Sequence, residues 1–320
     1  MSTQNEQAPR PRKGKKQSRF GKTANRVITI LAVLILLVSG AVCVKYFVEL
    51  YQNKNQTEEL AALVTESEEN YPDEPSWVQP KYRELYNQNN DFVGWITVPN
   101  TAINHPVMQS DDNEYYLRRD FYKNYLRRGT VFMDYRNDPE NLNVNTILYG
   151  HNYLDSTMFS DLEKYKDIEF YKTAPVIEFN TIYADHKWKV FAVFLTTASP
   201  ELDNNYVFNY IYPFMTESSF EEFIDEVAKR SLYDTGVEVL PTDKILTLST
   251  CTRDMDITSK QENARCVVMA RLVREGEDES VDTSQATVNP NPKYPQLWYD
   301  KYGIENPYKD DEKWYPRGEG

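Results

Sequence analysis

The sequence is poor in the side chains that staple small extracellular folds or build metal centres. Three cysteines, Cys43, Cys251 and Cys266, and three histidines, His105, His151 and His186, are all that occur in 320 residues. They show no paired ligand spacing, so a structural zinc site is not expected, and three thiols imply no disulfide framework. Net positive charge is lacking as well. The formal charge is −13, and the acid is concentrated beyond the basic first residues, which argues against a nucleic-acid-binding surface. One long run without any charge stands out. It extends from Val27 to Val44, with only Thr29, Ser39 and Gly40 to relieve its apolar character.

At roughly 1.5 Å per residue, that run just reaches across a hydrocarbon core when helical. Residues 1–26 before it carry Arg10, Arg12, Lys13, Lys15, Lys16, Arg19, Lys22 and Arg26 against Glu6 alone. Such a flank stays in the cytoplasm, leaving everything after Lys45 outside. A cleaved signal peptide has the same charge pattern. The long leader and the length of the run favour an uncleaved anchor over 27–48. Cys43, preceded by Gly40-Ala41-Val42, reads as an intramembrane cysteine rather than a lipid-attachment site. Residues 49–79 are rich in Glu and Gln and read as an extracellular stalk, punctuated by Pro72 and Pro75. A helix is expected from Lys81 to Asn90, with Tyr82, Leu85 and Tyr86 on one face.

From Phe92 to Val273 the chain has roughly 180 residues, enough for one domain with its own core. Short apolar or alternating runs recur at Gly94–Val98, Gly129–Met133, Thr146–Tyr149, Val176–Phe179, Lys187–Thr196, Lys244–Thr250 and Arg265–Val273. Separated by turn residues, they point to a mainly β barrel or sandwich. One stretch breaks the pattern. Ser218 to Tyr233 has Phe220, Phe223, Ile224, Val227 and Ala228 at helical spacing, and Ser218 with Glu221 or Ser219 with Glu222 could form a capping box.

Chemistry gathers at three strand ends. Lys244-Ile245-Leu246-Thr247-Leu248-Ser249-Thr250-Cys251 delivers a cysteine at its C-terminus, where a side chain meets a cleft. Arg265 opens the next run, so antiparallel pairing of the two sets Arg265 beside Cys251. Asn145-Thr146-Ile147-Leu148-Tyr149-Gly150-His151-Asn152 ends in a histidine. These are the parts of a thiol acyl-transfer site: the thiolate is the nucleophile and nearby positive charge raises its population. Arg265 can stabilise an oxyanion, and His151 can move a proton to a leaving amine and from an entering one. Cys266, on the opposite strand face from Arg265, reads as a core residue, and His105 and His186 read as surface or satisfied histidines.

Tyr149-Gly150-His151-Asn152, the Thr-Leu-Ser-Thr-Cys at 247–251 and Arg265 together resemble the signature of the sortases, cysteine transpeptidases of Gram-positive surfaces. Gly94-Trp95-Ile96, Pro106-Val107-Met108-Gln109, Asp112 to Leu117 and Gly129 to Asn137 are similar to class B members specifically. The resemblance covers roughly residues 80–273 as a catalytic domain. It implies the closed sortase barrel with an N-terminal helix and a helix inserted before the cysteine strand, in the connection that walls the substrate groove. It also implies a nucleophilic Cys251, a proton-transferring His151 and a stabilising Arg265. Asn113, Leu117, Ser249, Thr250 and Tyr206 are the substrate-binding residues that it implies.

The implied reaction has Cys251 attack the threonine carbonyl of a C-terminal sorting signal, of the Asn-Pro-x-Thr type for class B. A thioacyl enzyme forms and is resolved by an amine of the peptidoglycan cross-bridge, with no metal or organic cofactor. The implied partners are secreted proteins bearing the signal and the wall amine. Polymerisation of pilins onto a pilin lysine is the nearest alternative, and a non-catalytic surface binding module a distant one. A papain-like peptidase does not fit, because there the cysteine precedes the histidine. Residues 274–320 depart from the family, which stops soon after its last strand. Their acidic Glu275-Gly276-Glu277-Asp278-Glu279-Ser280 and Pro-, Tyr- and Asp-rich continuation read as a flexible or loosely docked tail, with aromatics available for a wall or partner contact. Asn291-Pro292-Lys293 resembles the opening of a sorting signal only by coincidence, since no threonine or apolar segment follows.

Overall fold

The structure is a computed structural model that describes residues 19–64, 77–153, 155–257 and 263–317. Most of the basic leader, Pro72 and Pro75 of the stalk, and the middle of the loop after Cys251 lie outside the described residues. A first helix, α1, spans Arg19–Leu63 and contains the whole charge-free run. It is long and apolar enough to cross a membrane, and side chains such as Ile35 and Leu36 are exposed along it. The chain forms two units, residues 1–56 and 57–320. In the second unit the end of α1 takes part in the fold. Leu60 is buried there in a cluster with Val78, Tyr82, Leu85 and Phe92, beside the short helix α2 (Arg83–Gln88).

Eight strands close a barrel. In chain order they are β1 (Phe92–Thr97), β2 (Asn104–Met108), β3 (Val131–Met133), β4 (Asn145–Tyr149), β5 (Val176–Thr181), β6 (Lys187–Thr197), β8 (Ile245–Cys251) and β9 (Ala264–Leu272). The order around the barrel is β1-β2-β3-β4-β8-β9-β6-β5, with only β2–β3 and β4–β8 parallel. A barrel has no open edge, so every strand's backbone groups find partners. Between β4 and β5 lies α3 (Ile168–Thr173), capped by Asp167, whose carboxylate accepts from the Glu169 amide. Between β6 and β8 come α4 (Glu217–Arg230) and the two-residue β7 (Tyr233–Asp234). After β9 come β10 (Thr287–Val288), paired with β7, and α5 (Gln296–Tyr302).

The strand runs are apolar throughout rather than alternating because β6, β8 and β9 are buried on both faces. Val190, Val193, Leu246, Leu248, Val268 and Ala270 fill the barrel interior. Phe191, Phe194, Ile245, Val267 and Met269 point outward and are covered by Phe220, Phe223 and Val227 of α4. A register shift between Val190 and Ala192 lets β6 present two consecutive residues, Phe191 and Ala192, to that outer layer. The α4 cap is Thr216, whose hydroxyl accepts from the Ser219 amide, rather than either Ser–Glu pair.

Two elements differ from the sequence expectation. β2 was not expected, because Pro106 within it has no N–H for a ladder. The β2–β3 ladder begins only at Val107, which keeps Pro106 clear of it. The segment after β9 is docked rather than flexible: Leu297 and Tyr299 are buried, and Trp314 packs in the α4 layer. Composition describes what a segment can bury against itself, whereas these aromatics bury against the barrel's outer layer.

Candidate active site

The parallel β4–β8 ladder pairs Asn145 with Ile245 and continues to Tyr149 with Ser249. Two residues further on, each strand leads to its candidate side chain, His151 on one and Cys251 on the other. The antiparallel β8–β9 ladder pairs Cys251 directly with Arg265. Side chains alternate along a strand, so Ile245, Thr247, Ser249 and Cys251 share the outer face of β8, and Arg265, Val267 and Met269 share that of β9. Cys251 and Arg265 therefore stand together on the outer face of β8 and β9, which α4 and its leading segment cover, and His151, just past the end of the neighbouring β4, stands at the same end of the barrel.

The backbone around the thiol is fixed by short bonds. Asn152 donates from Nδ2 to the Cys251 carbonyl at 2.7 Å, and the Thr250 hydroxyl donates to the Gly150 carbonyl at 2.7 Å. The Gly150 amide reaches the Ser249 carbonyl at 3.3 Å. Gly150 is needed for close approach: a Cβ there would lie 2.6 Å from the Phe159 ring. Ser249 is buried beneath the thiol, its Oγ 2.9 Å from the hydroxyl of the equally buried Tyr210. Burial pushes the Tyr210 phenol up, against the pull of Arg265, so it stays neutral and hydrogen-bonding.

His151 is half-buried, and its Nε2 lies 3.0 Å from the Leu117 carbonyl. A carbonyl only accepts, so Nε2 carries the hydrogen and Nδ1 is the basic nitrogen. Burial pushes the imidazole below its ordinary value, the Leu117 bond opposes this, and the Arg118 and Arg265 cations lower it further. The ring also leans on Tyr153 at 5.6 Å, whose hydroxyl is tied to the Arg127 carbonyl and whose face is covered by the Arg128 guanidinium. Arg265 is partly buried and donates to its neighbour's carbonyl, Ala264 O, at 3.1 Å.

The other sequence candidates are distributed as follows. Ser249 and Thr250 adjoin the thiol, but both hydroxyls are engaged within the protein. Leu117 touches His151 through its carbonyl. Asn113 donates to Asp134 at 3.0 Å and accepts from the Tyr135 amide. It reaches β4 through Asp134, which also accepts from the Tyr149 hydroxyl at 2.9 Å. Tyr206 donates instead to the Trp314 carbonyl at 2.8 Å, away from Ser249. The tyrosine that does reach Ser249 is Tyr210, which the sequence reading missed. Its signal is the alternation Tyr206, Phe208, Tyr210, Tyr212 in an extended segment. Cys266 is fully buried, and burial raises its thiol well above the ordinary range. His105 is buried on β2, its ring held to the Met158 backbone and pushed down to about 4 by burial, and His186 packs edge-on against Trp188.

The chain also resembles known proteins in sequence and fold. The Sortase domain family model matches residues 96–273. The chain is similar to sortase B of Staphylococcus aureus, 34% identical over 252 residues that cover 78% of this chain and 96% of that protein. It is 36% identical to sortase B of Listeria monocytogenes over 252 residues, covering 77% and 95% of the two chains. Among solved structures, the Staphylococcus aureus sortase B–substrate complex superposes with a TM-score of 0.61 at 34% identity, over 71% of this chain and 99% of that one.

Proposed function

The chain belongs to the sortase family as a class B cysteine transpeptidase acting in sorting-signal anchoring, and from that premise we propose how its residues divide the work. Cys251 is the nucleophile, His151 the proton carrier and Arg265 the oxyanion stabiliser. The observation that carries this assignment is the convergence of the three at one barrel end through two independent strand registers.

In the first half-reaction, Cys251 Sγ bonds to the carbonyl carbon of the signal's threonine. The thiol proton passes to His151 Nδ1, and the negative charge that grows on the carbonyl oxygen is met by the Arg265 guanidinium. Collapse of the tetrahedral species breaks the C–N bond, and His151 returns the proton to the leaving amine. A thioester remains on Cys251. In the second half, an amine attacks that carbonyl, His151 takes its proton, and the thiolate leaves and is reprotonated. Burial supports the assignment of His151, because a ring held neutral can accept the thiol proton without first losing one to solvent.

The sorting signal is of the Asn-Pro-x-Thr type, the acceptor is a wall cross-bridge amine, and Asn113, Leu117, Ser249, Thr250 and Tyr206 shape or support the groove. Residues 80–273 are the catalytic domain. The apolar helix α1 holds it at the cell membrane with the leader in the cytoplasm, which keeps enzyme and wall precursor local. The test is a panel of Asn-Pro-x-Thr and Leu-Pro-x-Thr peptides offered to the chain from residue 50 onward, with glycine peptides or a pilin-type lysine peptide as acceptors. Cleavage after threonine of Asn-Pro-x-Thr with transfer to glycine is expected. Preference for Leu-Pro-x-Thr would refute the signal, and transfer only to the lysine peptide would make the enzyme a pilin polymerase.

A further inference from the structure

The residues after β9 reach both loops that flank Cys251. The first loop leaves β6 at Thr197 and runs to α4, and the second joins β8 to β9. They start side by side, since Thr197 pairs with Ala264 and the Ala198 amide donates to the Asn263 carbonyl at 3.0 Å. Neither has a ladder of its own among the described residues, so the order of each depends on what packs upon it.

The C-terminal segment supplies that packing. It is tied to the barrel by Glu277, which accepts from Arg271 at 2.6 and 2.7 Å and from Lys189 at 2.7 Å, and by the β10–β7 pairing. On the second loop, Leu297 of α5 is buried with Met255 and with Ala264 and Cys266, the residues on either side of Arg265. Lys301 donates to the Asp254 carbonyl at 2.5 Å. On the first loop, the Gln296 amide donates to Asp203 at 2.8 Å, and Lys313 donates to the Asn204 carbonyl at 3.0 Å. Trp314 then packs on Phe208 and Phe223 at centroid distances of 5.7 and 5.3 Å while its carbonyl holds the Tyr206 hydroxyl. From Phe208 the contacts continue through Phe194 to Tyr210, and so to Ser249, two residues before the nucleophile.

We propose that residues 289–317 are a strap that positions both walls of the sorting-signal groove, with Trp314 the positioning residue for the 198–216 wall and Leu297 for residues 252–257 after Cys251. This rests on the transpeptidase reading above, and it assigns the segment a part in signal binding rather than in the chemistry. The strap packs on the barrel's outer layer and against one end of it rather than among the residues that fill it. The cluster that fills the barrel contains no residue beyond Ala286, so loosening the strap leaves the barrel its own core.

The experiment compares Trp314→Ala, Trp314→Phe and Leu297→Ala with the unaltered chain from residue 50 onward. Amide hydrogen exchange is read without substrate, and KM and kcat are read with an Asn-Pro-x-Thr peptide. For Trp314→Ala, exchange over 198–216 is expected to rise about tenfold or more, with β8 and β9 unchanged. KM should rise on the order of tenfold with kcat altered less than about threefold, and Trp314→Phe should restore most of it. Leu297→Ala should instead raise exchange over 253–257. Exchange changes confined to 289–317, or KM within about twofold of the unaltered chain, would overturn the proposal. So would loss of protection across β8 and β9, which would make the segment part of the core. An unaltered chain that turns over no sorting peptide refutes the transpeptidase reading instead, and the exchange result stands apart from it.

Discussion

On the proposed assignment, His151 carries the pH dependence of the site. Burial and the Arg118 and Arg265 cations hold the imidazole below its ordinary value, so the ring is neutral at pH 7. The working pair of thiol and neutral imidazole loses its base as pH falls through the His151 value, and the acid limb of kcat/KM lies below that of a free histidine. Removing one of the cations tests this. The Arg118 side chain donates to the Arg127 carbonyl, while its backbone follows Leu117, whose carbonyl holds His151. Arg118→Gln should raise the His151 value and move the acid limb to higher pH, with kcat/KM near pH 8 little changed. A pH–rate profile of the two proteins decides it, and a limb that stays put or moves down contradicts the electrostatic account. At the same scale, the pairing of Cys251 with Arg265 was legible in the sequence because strand alternation across one hairpin sets it, and His151 was legible through its Tyr149-Gly150-His151-Asn152 motif rather than through any local pairing. Tyr210 was not, since its partner Ser249 lies far along the chain and only the folded segment brings the two hydroxyls together.

Among the elements, β4 and β8 matter most, because their parallel register sets how His151 stands to Cys251. That register ends at Tyr149, and at the next residue, Gly150, the Phe159 ring occupies the space of a Cβ. Gly150→Ala forces the ring or the strand end to shift, at a cost of about 1–3 kcal/mol. Displacement of His151 by this shift should lower kcat/KM by on the order of ten- to a hundredfold. Thermal unfolding and steady-state kinetics measure the two effects, and a variant with unaltered kinetics would show that the Gly150 approach does not set the histidine. Seven of the eight barrel strands were legible as apolar runs, and the missing one, β2, is the strand that carries Pro106. The inserted helix was legible too, though its cap was read two or three residues late. Thr216-Glu217-Ser218-Ser219 offers a hydroxyl cap followed by a serine at the third position, where the capping-box pattern looks for Glu or Gln.

Across the whole molecule, an apolar helix, a closed barrel and a docked C-terminal segment lie along one chain. The helix and barrel were readable because each is written in a local period, a charge-free run in one case and short apolar strands between turns in the other. The docking of residues 274–317 was not readable, because Leu297, Tyr299 and Trp314 bury against surfaces made by residues far earlier in the sequence. The barrel presents the three proposed reacting groups, and the flanking loops are proposed to receive the signal and the apolar helix to keep all of it at the membrane. In intact cells an added protease should therefore degrade the barrel but not an epitope placed before Arg10, and the reverse pattern would invert the topology.

The central claim is that Cys251 carries the acyl group. Its most direct measurement is intact-protein mass spectrometry of the chain from residue 50 onward, mixed with an Asn-Pro-x-Thr peptide in the absence of amine, beside Cys251→Ala and Arg265→Lys. The account predicts an adduct with the mass of the peptide's acyl portion on Cys251, discharged by added glycine peptide and absent from the alanine variant. It also predicts that the adduct forms about a hundredfold or more slowly in Arg265→Lys. An adduct that persists in Cys251→Ala, or cleavage of the peptide without any adduct dependent on Cys251, would contradict it.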